Sequence, residues 1–87
     1  SKMHNMIVLL NKKNKSMIHF HNDTDEVYQI IKGIMQVNIF DKKKKKIKTY
    51  ILSKEKNFII RINVGIIHQT IPLTSNVIFC ENRLKPI

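Results

Sequence analysis

Tryptophan and alanine are both missing from this chain, and cysteine, glycine and proline are nearly so, with one, two and two copies. A single cysteine cannot close an internal disulfide, so a reducing, cytoplasmic setting is expected. Cys80 lies in the alternating stretch Asn76-Val77-Ile78-Phe79-Cys80-Glu81, where it reads as a small strand hydrophobe rather than a reactive thiol. No apolar run approaches the roughly twenty residues of a membrane span, and no signal-type apolar region opens the chain. A membrane is therefore not an expected partner. Acidic residues are scarce as well: six stand against sixteen Lys and Arg, a formal net charge of +10.

What is present is strand-forming. The 87 residues are 43% apolar, mostly Ile, Val, Leu and Phe, and β-branched Ile dominates, which favours strands over helices. The length predicts one domain, residues 1–87, with a thin core. Apolar stretches recur at residues 6–10, 16–21, 26–32, 34–40, 47–52, 58–62, 68–72 and 76–81. Turn residues or charge runs separate them, and none holds a helical period. Eight short strands at such spacing predict an all-β sandwich or small barrel.

The positive charge suggests nucleic acid, but its placement argues against it. Residues 42–46 are five consecutive lysines directly after Asp41, between two strand-like stretches. Such a run reads as a solvated hairpin tip, and no aromatic residue interleaves it to stack on bases. Lys12, Lys13 and Lys15 likewise fall between strands. The expected ligand is a small molecule, anionic or sugar-like, and no nucleic acid.

The histidines carry the chemistry. His19 and His21, two apart on a strand, leave the same face. Glu26 follows after a turn, and His68 comes from a distant strand in Gly65-Ile-Ile-His68. Three imidazoles and one carboxylate meeting at a point make a first-row transition-metal site, with a net charge of +1 around a divalent ion. Iron, zinc, manganese and nickel all suit this donor set. The plainer alternative makes His19 and His21 polar residues before an acidic turn and His68 a core or surface histidine. Asp23 and Asp25 cap the 22–25 turn or orient a ligand imidazole from behind.

Alternation puts Tyr28 on the face of Glu26 and Thr70 on that of His68. Gln36 and Asn38 share a face, lining the pocket or meeting solvent. These four are the candidate substrate-binding residues, and Arg61 either stands at the mouth or is exposed. Both glycines sit beside these residues. Gly33 separates two strands where a turn needs φ > 0 or a close backbone approach, and Gly65 marks a bend before His68.

The spacing His19-x-His21-x4-Glu26-x6-Gly33 resembles the first cupin motif, and Gly65-x2-His68 the core of the second, in the right order across most of the chain. The resemblance implies a cupin jelly roll. Two departures stand out: Asn63 replaces the second motif's usual proline, and its downstream Asn is absent, with Pro72 four residues past His68. Within the cupins the chain looks most like the WbuC-type cupin-fold metalloproteins of lipopolysaccharide O-antigen gene clusters. That likeness is carried by His4-Asn5-Met6-Ile7-Val8-Leu9-Leu10, Ser16-Met-Ile-His-Phe-His21, Val37-Asn-Ile-Phe-Asp41 and the ending Val77-Ile-Phe-Cys-Glu-Asn-Arg-Leu-Lys-Pro-Ile87. It implies a metal-dependent enzyme, an isomerase or dioxygenase, acting on a sugar, sugar nucleotide or small acid in surface-polysaccharide synthesis. A non-catalytic binding cupin and a small iron dioxygenase are the alternatives. So small and Ile-rich a domain is expected to pair as a homodimer through an apolar sheet face, with Val27 and Ile31 candidates for packing or that interface.

Overall fold

Two-residue alternation decides which way every side chain points, and so decides the architecture. The computed structural model describes residues 3–11, 13, 18, 20 and 23–84. These hold seven strands: β1 (Met3–Asn11), β2 (Asp25–Lys32), β3 (Met35–Phe40), β4 (Lys46–Leu52), β5 (Ile59–Ile62), β6 (Ile67–Pro72) and β7 (Asn76–Leu84). They form two antiparallel sheets, of order β1-β7-β2-β5 and β4-β3-β6. The expected stretches at 6–10, 26–32, 34–40, 47–52, 58–62, 68–72 and 76–81 each find their strand. The stretch at 16–21 lies largely outside the described residues, and its two described members, Ile18 and Phe20, belong to no strand.

The inner faces pack a core of Leu10, Tyr28, Ile30, Met35, Val37, Leu52, Ile62, Val77 and Phe79. Burying each such side chain contributes about 1.5–3 kcal/mol, which is the main term holding two small sheets together. Along β6 the alternation is unbroken, with His68, Thr70 and Pro72 buried and Ile67, Gln69 and Ile71 partly exposed.

Gly33 turns β2 into β3 with φ 85°, and a Cβ there would sit 2.4 Å from the Asn76 carbonyl oxygen and 2.6 Å from Thr74 Oγ1. Both expectations for this glycine, positive φ and close approach, hold together. Gly65 has φ 83° with open space around it, so backbone conformation alone explains it.

The lysine run is the tip joining β3 to β4. Asp41 organises it: its carboxylate Oδ1 accepts from the backbone N–H of Lys43 and of Lys45, at 2.9 Å each. The lysines themselves stay exposed, as the sequence predicts.

Candidate metal centre

β2 and β6 lie in opposite sheets, and the inner face of each delivers one expected ligand. Glu26 and His68 are each 1% exposed, and His68 Nε2 lies 3.5 Å from Glu26 Oε1. Tyr28, two residues along β2 on the same face, donates its hydroxyl to Glu26 Oε2 at 2.5 Å. The Tyr28 hydroxyl oxygen is also 3.0 Å from His68 Nε2. Burial, then the Glu26 hydrogen bond and charge, push the Tyr28 phenol far above its usual range, so it stays protonated and acts as a donor.

The local sequence explains how His68 arrives. Residues 63–66 make a β-turn in which Ile66 N–H bonds the Asn63 carbonyl at 3.1 Å. Gly65 holds the third position, where positive φ is required. Asparagine in place of the motif's proline thus leaves the turn intact. The turn aims the Ile66 carbonyl at His68 Nδ1, 2.8 Å away. With Nδ1–H donating there, Nε2 presents its lone pair to Tyr28 and Glu26.

That arrangement fits a cation. The trio offers the Nε2 lone pair, the phenol oxygen and two carboxylate oxygens, and the single phenol proton is committed to Glu26. A positive charge at the convergence, from a metal ion or a proton on the imidazole, is what this donor set calls for. A backbone carbonyl fixing the far nitrogen of an imidazole is also the usual support of a metal-binding histidine. Among the described residues, no group of three or more His, Cys, Asp or Glu is placed to hold a metal ion. His19 and His21 lie outside the described residues.

The other expected site residues divide by face. Thr70 is 3% exposed and follows His68 along the inner face, paired with Val37. Gln36 and Asn38 do not join them. Asn38 pairs with Gln69 and Thr49, while Ile39 pairs with His68, so the two amides occupy the outer face of the three-stranded sheet. There Gln36 Nε2 donates to Asn38 Oδ1 at 2.8 Å and Thr49 Oγ1 to the same oxygen at 2.9 Å. Their buried polar atoms serve each other, not a pocket.

Asp25 also takes a part different from the expected one. It accepts from Arg61 Nη2 at 2.5 Å and from Val64 N–H at 2.8 Å, clamping the 63–66 turn to the start of β2. Arg61 pairs with Val27 across the outer face and is exposed, so it is off the inner face that carries Glu26 and Tyr28.

Two residues of the inner face escaped the sequence reading. Glu81, 8% exposed, pairs with Tyr28, and Arg83 pairs with Glu26. Arg83 Nε donates to Glu81 Oε2 at 2.7 Å. The signal was the alternation Val77, Phe79, Glu81, Arg83, which continues a buried face with two charges. Beside the centre lies a cavity of about 180 Å³ lined by Ile39, Tyr50, Ile60, Arg61, Ile62, Asn63 and Ile66. Ile39 and Ile62 are the register partners of His68 and Glu26.

No protein-family model matches the sequence, and no curated protein matches it either. Solved structures do match. The oxalate decarboxylase of Lactobacillus farciminis, in its formate complex, superposes with TM-score 0.79 at 19% identity over 98% of this chain. A Bacillus halodurans protein gives 0.85 at 10% identity over 98%. A cupin-2 domain protein of Shewanella frigidimarina gives 0.74 at 18% over 95%. The chain spans 25% of the decarboxylase, 64% of the Bacillus protein and 71% of the Shewanella protein. At such identities the likeness speaks for the fold: two antiparallel sheets in the jelly roll of the cupins.

Proposed function

We propose that the chain is a metal-binding cupin of the WbuC type, acting on a sugar, sugar nucleotide or small acid in surface-polysaccharide synthesis. The observation that carries the metal-binding reading is the buried convergence of His68 Nε2, Glu26 and the Tyr28 hydroxyl, with His68 Nδ1 tied to the Ile66 carbonyl. Glu26 and His68 would hold the ion together with His19 and His21, which the cupin motif supplies. A divalent iron, zinc, manganese or nickel ion there would supply a Lewis acid for a substrate oxygen. Tyr28 keeps Glu26 in one orientation, and Ile39 and Ile62 keep bulk water from the pair. The polysaccharide role rests on the resemblance in the strand ends and the C-terminal stretch, and the cytoplasm on the single cysteine.

A non-catalytic binding module is the second reading, and the cavity favours it, because four of its seven lining residues are isoleucines. The two differ in what they do with a ligand, not in how they hold a metal. A small iron dioxygenase would use the same ligands.

Pairing belongs to the proposal too. The outer face of the four-stranded sheet exposes Ile7 at 68%, Leu9 at 65%, Ile59 at 48% and Ile31 at 42%. A second copy of the chain would cover it.

The test is elemental analysis by mass spectrometry on tag-free protein, with His68→Ala and Glu26→Gln in parallel. Near-stoichiometric metal in the wild type, reduced in both variants, is the expected result. No metal after reconstitution with iron, manganese, nickel and zinc removes the metal-binding reading.

A further inference from the structure

We propose that Arg83, aimed by Glu81, is an anion-binding residue beside the centre and selects ligands that carry a carboxylate or phosphate group. The proposal rests on the metal-binding reading above and deepens it by naming a residue and a ligand class.

Three observations carry it. The first is position. Arg83 is the register partner of Glu26 on the inner face, so their Cα atoms are about 4.5–5.5 Å apart. Its side chain is 35% exposed, against 1% for those of Glu26 and His68. It therefore stands where the buried trio gives way to solvent, within reach of an entering molecule.

The second is orientation. Arg83 spends Nε on Glu81 Oε2, and among the described residues that is the one hydrogen bond its side chain makes. The guanidinium is planar, so fixing Nε through a nearly buried carboxylate also fixes the plane of both terminal nitrogens. Their four remaining N–H groups form the fork that matches two oxygens of a carboxylate or phosphate. A purely structural ion pair would need only the Nε contact, and a lysine would serve it.

The third is charge. A guanidinium is ionised at any ordinary pH, so Arg83 carries its charge. With a divalent ion, two carboxylates and one guanidinium, the centre carries one net positive charge, which a monoanion neutralises. The lysine tip lies at the same end of the sandwich, because β3 reaches Ile39, the partner of His68, just before it. A basic rim raises the local concentration of anions.

The test reads Arg83 directly. The chain has two arginines, Arg61 and Arg83, so their side-chain Nε–H signals in a 15N NMR spectrum are assignable with Arg61→Gln. Zinc-loaded and metal-free protein are titrated separately with acetate and inorganic phosphate. The Arg83 signal is expected to move saturably with at least one anion, more tightly in the zinc-loaded protein. A response to acetate alone identifies a carboxylate ligand, and to phosphate alone a phosphorylated one.

Arg83→Gln should weaken binding, followed through backbone amides, about ten- to a hundredfold, with metal content unchanged and a urea midpoint lowered by the loss of the Glu81 ion pair. Arg83→Lys should recover only part of it. A wild-type Arg83 signal that stays still with both anions overturns the proposal, even where Arg83→Gln does not fold. So does a folded Arg83→Gln with undiminished affinity. Absence of metal from the wild type would strike the metal-binding reading alone, since the metal-free titration still reports on Arg83.

Discussion

At Tyr28, burial and the Glu26 carboxylate both raise the phenol pKa, which fixes the direction of its hydrogen bond. The hydroxyl gives its proton to Glu26 and turns its oxygen toward His68. Removing it takes one donor from a nearly buried carboxylate, a loss worth about 1–3 kcal/mol when the partner stays buried. Tyr28→Phe is therefore expected to lower the unfolding free energy from urea titration by that amount and to weaken metal retention against a chelator, because Glu26 loses its orientation. A variant equal to wild type in both would show that the hydroxyl positions nothing. Sequence alternation placed Tyr28 beside Glu26 correctly. It left Gln36 and Asn38 open, because period-2 reasoning says which residues share a face and not which face is the inner one. Only the pairing of Asn38 with Thr49 and Gln69, and of Gln36 with Ile51 and Ile71, put the amides outside.

Among the elements, the turn before β6 matters most to the centre. Gly65 permits it, the Asp25 carboxylate pins it through Val64, and Arg61 completes the clamp. The Arg61 hydrogen bond and then that of Val64 hold the Asp25 carboxyl below its ordinary 3.8. A depressed carboxylate pKa adds stability that is fully present above the unfolded-state value and disappears as pH falls through the folded-state value. The expected result is a wild-type urea midpoint that falls below about pH 4 partly because of this residue. Asp25→Asn should flatten that acid limb, while leaving the neutral-pH spectrum of a folded protein. Superimposable pH profiles for the two proteins would remove the clamp from the account. No sequence pattern announced this contact, since Asp25 and Val64 are 39 residues apart and meet only when β2 and β5 pair. An acidic residue inside the 22–25 turn, directly before Glu26, reads more naturally as a local cap.

For the whole molecule, the two sheets leave different outer faces. The three-stranded sheet mixes Gln36, Asn38 and Thr49 with isoleucines, whereas the four-stranded sheet carries Ile7, Leu9, Ile31 and Ile59 in the open. An outer face with large apolar side chains this exposed is the pattern that self-association relieves. Light scattering is expected to give twice the chain mass for the wild type, and the monomer mass for Ile7→Lys combined with Leu9→Lys. A wild-type monomer across the accessible concentration range would remove the pairing.

The sequence alone determined the elements and the chemistry on offer. Alternating apolar residues, two glycines at points of positive φ and a ligand-type spacing were enough for seven described strands and for Tyr28 on the face of Glu26. These are properties of period and of local backbone sterics, which act over a few residues. The tertiary structure decided the rest: the outward turn of Gln36 and Asn38, the Asp25–Val64 clamp, and the charged pair Glu81–Arg83 against the centre. Each depends on which strands become neighbours and in what register, and a register is chosen by the burial of the whole core.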